Sequence, residues 1–422
     1  MILQRLVAAV FGLASAFAQA RDLSLADAER LLRERGRELL AARRAVEAAG
    51  AQRISAAARP NPTLSLNSTS ISNNYNNGPG TPNVWRADTV LRIDQPFERG
   101  GKRELRMEAA EGLERAARGD SLDVLRTQLA QLRGAYYDLK QAEEKVAILG
   151  ETAQLFGRTL AAAQARLKAG DLAAADVAKV QVDHERAQND FRVAQADLAR
   201  ARIALGYMIG EERGAAELRA ADAWPARVRP EQADVERAIE NYTDTRPDVV
   251  AARARVAAFE KLRDLAKSQQ TRDVTLGAQY ERYPGTIPSD SVGFGISMPL
   301  FTGNDFSGEI RRAEVDRYAA MDALDRARAI AGNDIRRAAS DLAAAAERLE
   351  RYDSTLLEAA QRSAQAAEFA FQRGVTSVLE VLDARRTLRA VRLEALAART
   401  AHAKALAAWR ASQTTVEMLG EK

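Results

Sequence analysis

Apolar residues recur along much of the chain at alternating three- and four-residue steps. Leu122, Leu125, Leu129, Leu132, Tyr136 and Leu139 form one unbroken series. After a single slip it resumes at Val146, Leu149, Ala153, Phe156, Leu160, Ala163 and Leu167. A second tract carries Val177, Val180, His184, Ala187, Phe191, Ala194, Leu198, Ala201 and Leu205, and a third Leu388, Val391, Ala395, Ala398, His402, Ala405 and Trp409. A sustained repeat of this period predicts helices packed as coiled coils. Alanine in the seam lets their backbones approach closely. One helix is expected from N-cap Ser24 to Ala58, stopped by Pro60 and Pro62. Another is expected from just after Gly100-Gly101 to about Lys168. At 1.5 Å per residue it would span roughly 100 Å, so partner helices must sheathe it.

Between these tracts the period changes to two. Trp85, Ala87, Thr89, Leu91 and Ile93 alternate with Arg86, Asp88, Arg92 and Asp94. Val274, Leu276, Ala278 and Tyr280 alternate with Thr275, Gly277, Gln279 and Glu281, and Val292, Phe294, Ile296 and Met298 with Ser291, Gly293, Gly295 and Ser297. The stretch around Pro62–Asn73 is weaker: Leu64 and Leu66 keep phase and Ile71 breaks it. Alternation means one apolar and one wet face, which suits either a half-buried sheet on a soluble core or a membrane barrel. Three details favour the barrel. The runs have the ~10-residue length of tilted membrane strands. Their loops are polar (73–80 and 284–289), and the neighbouring helices are matched to one another rather than to a sheet. Four strands cannot close a barrel alone, and open edges are not tolerated in lipid. Several copies must therefore share it.

The layout occurs twice. Glu38–Arg43 resembles Asp248–Arg253, Pro62–Leu64 matches Val274–Leu276, Pro96-Phe97 matches Pro299-Leu300, and Gly170 with Asp176-Val177 matches Gly374 with Glu380-Val381. These collinear matches divide the chain into a first repeat (21–210), a connector (211–232), a second repeat (233–413) and a tail (414–422). Ahead of them, residues 1–20 read as a secretory signal peptide: Arg5, an apolar run from Leu6 to Ala18, and Ala18-Gln19-Ala20. That run is shorter than the ~20 residues of a spanning helix.

Composition narrows the chemistry. The 422 residues include no cysteine and two histidines, His184 and His402, which excludes disulfides, thiol nucleophiles and cysteine-based metal sites. With no cysteine after the leader, the mature end is expected to carry no lipid anchor. Both histidines fall on seams, where packing is the expected role. No metal site, cofactor or catalytic constellation is expected, and the chain is read as not an enzyme. The formal net charge of +4 comes from interspersed charges such as Arg33-Glu34-Arg35, a pattern of solvated helix faces rather than a nucleic-acid surface.

Asn61-Pro62-Thr63-Leu64, Gln95-Pro96-Phe97-Glu98-Arg99-Gly100-Gly101-Lys102-Arg103 and Gly374-x5-Glu380-Val381-Leu382-Asp383-Ala384 carry a resemblance to the TolC family of outer-membrane efflux channels. Glu98, Gly100, Gly101, Lys102 and Arg103 resemble in particular its CzcC-like heavy-metal branch. The resemblance implies a mainly α fold. Long antiparallel coiled-coil helices would form a trimeric α-barrel, with four strands per subunit in a shared 12-stranded transmembrane β-barrel. It further implies a homotrimer in outer-membrane lipid, docked with a periplasmic adaptor and an inner-membrane RND antiporter, and exporting divalent heavy-metal cations. The same fold serving drugs or secreted proteins, and a soluble periplasmic coiled-coil scaffold or adaptor, are the alternatives.

In such a channel the functional groups line constrictions. The turns around Gly170 and Gly374 are the candidate tips. The family's aperture carboxylates map onto Glu380 and Asp383, which could equally favour a helix N-terminal dipole. A family latch maps onto Asp176, but its partner positions are here Phe371 and Thr376, leaving Arg373 or Lys168 as substitutes. At Glu98–Arg103 a strand must become a helix, so the glycines relieve strain and the cations are expected near lipid headgroups.

Overall fold

The computed structural model describes residues 21–72, 86–284, 289–373 and 375–420. The expected signal peptide, most of the two polar strand loops, Gly374 and the last two residues of the tail lie outside them. The order is β1 (Arg21–Leu23), α1 (Leu25–Arg35), α2 (Arg37–Ala57), β2 (Thr63–Ser72), β3 (Arg86–Phe97), α3 (Lys102–Ala169) and α4 (Ala174–Met208). A 3₁₀ turn and β4 (Leu218–Ala220) lead to α5 (Gln232–Tyr242), α6 (Pro247–Ser268), β5 (Val274–Tyr283) and β6 (Ser289–Ser297). Then come α7 (Ser307–Arg351), a π-helical turn (Tyr352–Leu356), α8 (Leu357–Gln372), α9 (Val378–Ser412) and α10 (Val416–Gly420). Element lengths recur: α1 and α5 have 11 residues each, and α4 and α9 have 35 each.

The long helix expected after Gly100-Gly101 is present as the 68 residues of α3. The single helix expected over 24–58 is instead two. Ser24 caps α1, its hydroxyl accepting from the Asp27 amide at 3.0 Å, but Gly36 then leaves the helical conformation (ψ 119°). The Gly36 amide still closes α1 on the Leu32 carbonyl, at 2.8 Å. A Cβ there would lie 2.5 Å from that carbonyl oxygen, so the break needs glycine.

Two compact units form, and neither is a continuous segment. One takes the described residues up to Leu40 together with Val124–Glu240 and Asn333–Thr414. Its core contains Ala153, Phe156, Ala163, Val177, Val180, Ala187 and Leu382, with Leu160 and Phe191 against them. All but Leu382 are seam positions of the 3-4 repeat. The connector is fixed in this unit by a parallel pairing of β1 with β4. The fully buried Tyr136 sits under that pair. Its hydroxyl lies 3.0 Å from the Leu23 carbonyl and accepts from the Asp222 amide at 3.0 Å, and burial pushes the phenol above its ordinary pKa. Trp224 stacks on Tyr137 and donates to Glu144 at 2.7 Å.

The other unit comprises Ala41–Asp123, Asn241–Gly332 and the tail from Thr415. It holds a four-stranded antiparallel sheet of order β2-β3-β5-β6. Register places Leu64, Ile93, Ala278 and Phe294 in one row and Leu66, Leu91, Tyr280 and Val292 in the next, all on one face. Leu64 is 67% exposed and Phe294 86%. The other face carries Ser65, Arg92, Gln279 and Gly293 in register. Ile71 falls out of phase because the β2–β3 register shifts between Thr69 and Ser72, where Ser70 adopts φ 55°. This is a bulge. Among the described residues no helix is long and apolar enough to cross a membrane.

Candidate functional site: helix turns and the strand-to-helix corner

The first helix-to-helix turn is built by Gly170. Its φ of 83° lets the Asp171 amide reach the Arg166 carbonyl (2.9 Å) while the Gly170 amide bonds Leu167 (3.1 Å). That is a Schellman end. The second turn repeats the longer bond, Val375 amide to Ala370 carbonyl at 2.9 Å; Gly374 itself lies outside the described residues.

Past each turn a carboxylate enters the first turn of the next helix. Asp176 pairs with Lys179 on its own helix at 3.1 Å. Its suggested partners are engaged elsewhere or lack a bond: the Arg373 guanidinium stacks on Phe369 at 4.6 Å, and Arg166 on Phe371 at 4.7 Å. The Thr376 hydroxyl is buried without a hydrogen-bond partner among the described residues. Among the described residues of one chain, Asp176 therefore pairs with Lys179 and makes no hydrogen bond or ion pair with Thr376 or Arg373. Ser377 caps α9 by accepting from the Glu380 amide at 3.3 Å. The hydroxyl thus serves the helix end, while Glu380 and Asp383 are exposed, three residues apart, and make no ion pair with a described residue. Val381 and Leu382 between them are buried, so the helix is anchored on one side and presents the two carboxylates on another.

A set of arginines on α9, which the periodicity did not single out, fastens this end of the unit. Arg386 pairs with the buried Asp183 of α4, and Arg389 with Asp190 at 3.0 Å. Arg385 reaches Glu368 on α8 (2.9 Å) and the Thr159 hydroxyl on α3 (3.0 Å). Arg385, Glu368, Arg158, Arg166 and Phe371 line a cavity of about 310 Å³ beside the first turn. The sequence signal was available: Arg385, Arg389 and Arg392 are spaced by four and three, with Arg386 next to the first. His184 and His402 lie on seams as expected. His402 is fully buried, and its Nε2 accepts from the Val228 amide at 3.1 Å. Burial holds its pKa below the ordinary value, with the Val228 carbonyl, 3.3 Å from Nε2 and able to accept from a protonated ring, opposing and Arg227 adding repulsion.

The Glu98–Arg103 string forms a fastened corner. Gly100 and Gly101 have φ of 73° and 69°. A Cβ on Gly100 would lie 2.9 Å from the Thr271 side chain, so the corner presses against the segment that opens β5. Lys102, 4% exposed, donates to the Thr271 carbonyl at 2.9 Å and to Asp273 Oδ1 at 2.8 Å. The Arg99 amide donates to the same oxygen at 2.9 Å. Arg103 donates to the Ala57 carbonyl at the end of α2 (2.7 Å), and Glu98 forms a two-point pair with Arg106. The headgroup expectation for Lys102 is thereby corrected. Its ammonium is turned into the protein, where an acceptor-rich loop offsets its desolvation.

Four strands of membrane length, apolar on one exposed face and joined to paired long helices, define an outer-membrane channel subunit. The chain belongs to the outer membrane efflux protein family, which it matches twice, over residues 30–211 and 220–412. It is 30% identical over 317 residues to the cobalt-zinc-cadmium resistance protein CzcC of Cupriavidus metallidurans, covering 73% of this chain and 72% of that one. It is 28% identical over 303 residues to the nickel-cobalt-cadmium resistance protein NccC of Alcaligenes xylosoxydans xylosoxydans, covering 71% and 65%. Its fold matches the crystal structure of the channel CusC with a TM-score of 0.76 at 18% identity, covering 93% of this chain and 92% of that one. The protein is thus an efflux channel component of the outer membrane and not an enzyme. Channels of this family are trimeric and work with an adaptor and an inner-membrane pump.

Proposed function

We propose that three copies of this chain form the outer-membrane conduit of a tripartite RND efflux system that exports divalent heavy-metal cations. The observation that carries the trimeric conduit is the sheet: apolar rows on one exposed face, ending at β2 and β6. In hydrocarbon such edges must be paired, and pairing them between copies yields a shared barrel of 12 strands surrounded by outer-membrane lipid. The resistance proteins CzcC and NccC support the metal cargo. The recurring element lengths and the two family matches support a duplicated chain, with repeats at 21–210 and 233–413 about the connector 211–232 and a tail from 414. Residues 1–20 are its export signal.

In this reading the turns at Gly170 and Gly374 are the periplasmic tips. Glu380 and Asp383, exposed and without an ion pair among the described residues, line the aperture and attract cations. Asp176 takes part in holding it closed, through a partner supplied by another copy. Specificity for the metal resides in the pump, reached through a periplasmic adaptor. Challenging a deletion strain with zinc, cobalt, cadmium, copper and a dye panel tests the cargo. The reading expects metal sensitivity without dye sensitivity. Dye sensitivity alone transfers the channel to drug export.

A further inference from the structure

The polar face of the sheet carries an organised network that neither the aperture nor the corner uses. The Arg92 guanidinium grips Asp94 with two hydrogen bonds, 2.7 and 2.9 Å, and donates a third to Gln279 at 2.9 Å. These side chains lie flat over β5 because Gly277 leaves room. A Cβ there would come within 2.8 Å of Arg92 Nη2 and would also collide with Asp94. Gln279 turns its amide nitrogen to Glu281, which also accepts from the Tyr283 hydroxyl (2.7 Å) and from Ser291 (3.2 Å). The Glu281 carboxyl group thus accepts from three donors, which fixes its position on the polar face. Its cross-strand neighbours are Val90 and Ser291, neither of them charged. The charged residues flanking it on the same face are Asp88 and Arg92 of β3. Arg92 is already neutralised by Asp94, and Asp88 adds the same sign as Glu281.

We propose that Glu281 is the cation-selecting group of the β-barrel, an anionic ring separate from the tip carboxylates. The Asp94–Arg92 pair keeps the nearest cation from cancelling it. This rests on the trimeric-channel reading, which turns the polar face to the lumen and places three copies of Glu281 around it. Charged rings at a pore wall set which ions enter, and a low-dielectric wall focuses their field. The network then does two things. It fixes Glu281 in one position, and it spends the adjacent positive charge inside a neutral pair.

The test is the reversal potential of purified trimers in planar bilayers under a potassium chloride gradient. The parent carries Glu380→Gln and Asp383→Asn, so that the tip carboxylates do not contribute. Glu281→Gln is expected to lower the cation-over-anion permeability ratio at least about twofold. The double variant Arg92→Gln/Asp94→Asn removes a neutral pair and keeps the Glu281 charge, so its ratio is expected to stay above that of Glu281→Gln. Arg92→Gln alone, which unmasks Asp94, is expected to raise it, and provides a readout even if Glu281→Gln trimers fail to assemble. A conducting parent whose ratio is moved by neither Glu281→Gln nor Arg92→Gln overturns this proposal alone. A parent that forms no conducting trimers overturns the channel reading and this proposal with it.

Discussion

The Lys102 ammonium lies 2.8 Å from Asp273 Oδ1, joining the corner after β3 to the residue just before β5. Lys102 is buried while Asp273 keeps partial access to water, so replacing the carboxylate by an amide leaves a buried cation with neutral acceptors and no counter-charge. Asp273→Asn is expected to cost about 1.5–3 kcal/mol, the worth of hydrogen bonds to charged groups. Lys102→Met, which removes the buried charge as well, should cost less than Lys102→Ala, which also leaves a void. Thermal unfolding of detergent-solubilised protein measures all three. Equal melting temperatures for the parent and Asp273→Asn would show that the corner is not fastened this way.

Phe294, the most exposed of the apolar strand residues, distinguishes a lipid-facing sheet from one on a soluble core. An arginine on the lipid face of a barrel costs about 2–4 kcal/mol near the bilayer midplane. Phe294→Arg should therefore reduce recovery from the outer-membrane fraction. Ser291→Arg, on the opposite face, should not. Equal recovery of the two would argue against lipid at Phe294.

Much of this organisation was legible because long coiled coils and membrane strands both write their periods into the sequence. The seam residues Phe156, Val180 and Ala187 are buried where the 3-4 spacing put them, and the phase break at Ile71 marks a real bulge. The break at Gly36 escaped because an isolated glycine in an apolar-periodic helix carries no phase change; only its contact with the Leu32 carbonyl reveals the need. The pairing of β1 with β4 escaped because three-residue strands are too short to show alternation. At the site, Glu380 and Asp383 were found through a motif, whereas the Arg386–Asp183 clamp depends on a contact 203 positions apart. Spacing along one helix does not predict such a contact.

Neutralising the tip carboxylates should change ion preference and leave the fold intact, because neither Glu380 nor Asp383 makes an ion pair with a described residue. Glu380→Gln/Asp383→Asn trimers are expected to favour cations less in planar bilayers, with an unchanged melting temperature. Asp176→Ala should raise closed-state conductance. Unchanged leakage would remove Asp176 from the gate, leaving it as a partner of Lys179 alone.

Acidification should loosen the connector at His402. Its folded pKa is depressed, so the stability it contributes is complete above its ordinary value of 6.5 and is lost as pH falls below that through the folded pKa. Protonation also places a proton on the ring nitrogen that accepts from Val228. Melting temperature should therefore fall between pH 7 and pH 5, and His402→Gln, which cannot titrate, should flatten that slope. An identical slope in the variant would assign the pH dependence to other groups.

The central claim is that the open edges of one four-stranded sheet are completed by other copies in the outer membrane. Native mass spectrometry of unboiled protein, extracted by detergent from purified outer membranes, tests it most directly. The account predicts a species of three chains. A single chain recovered from the soluble periplasmic fraction would contradict it.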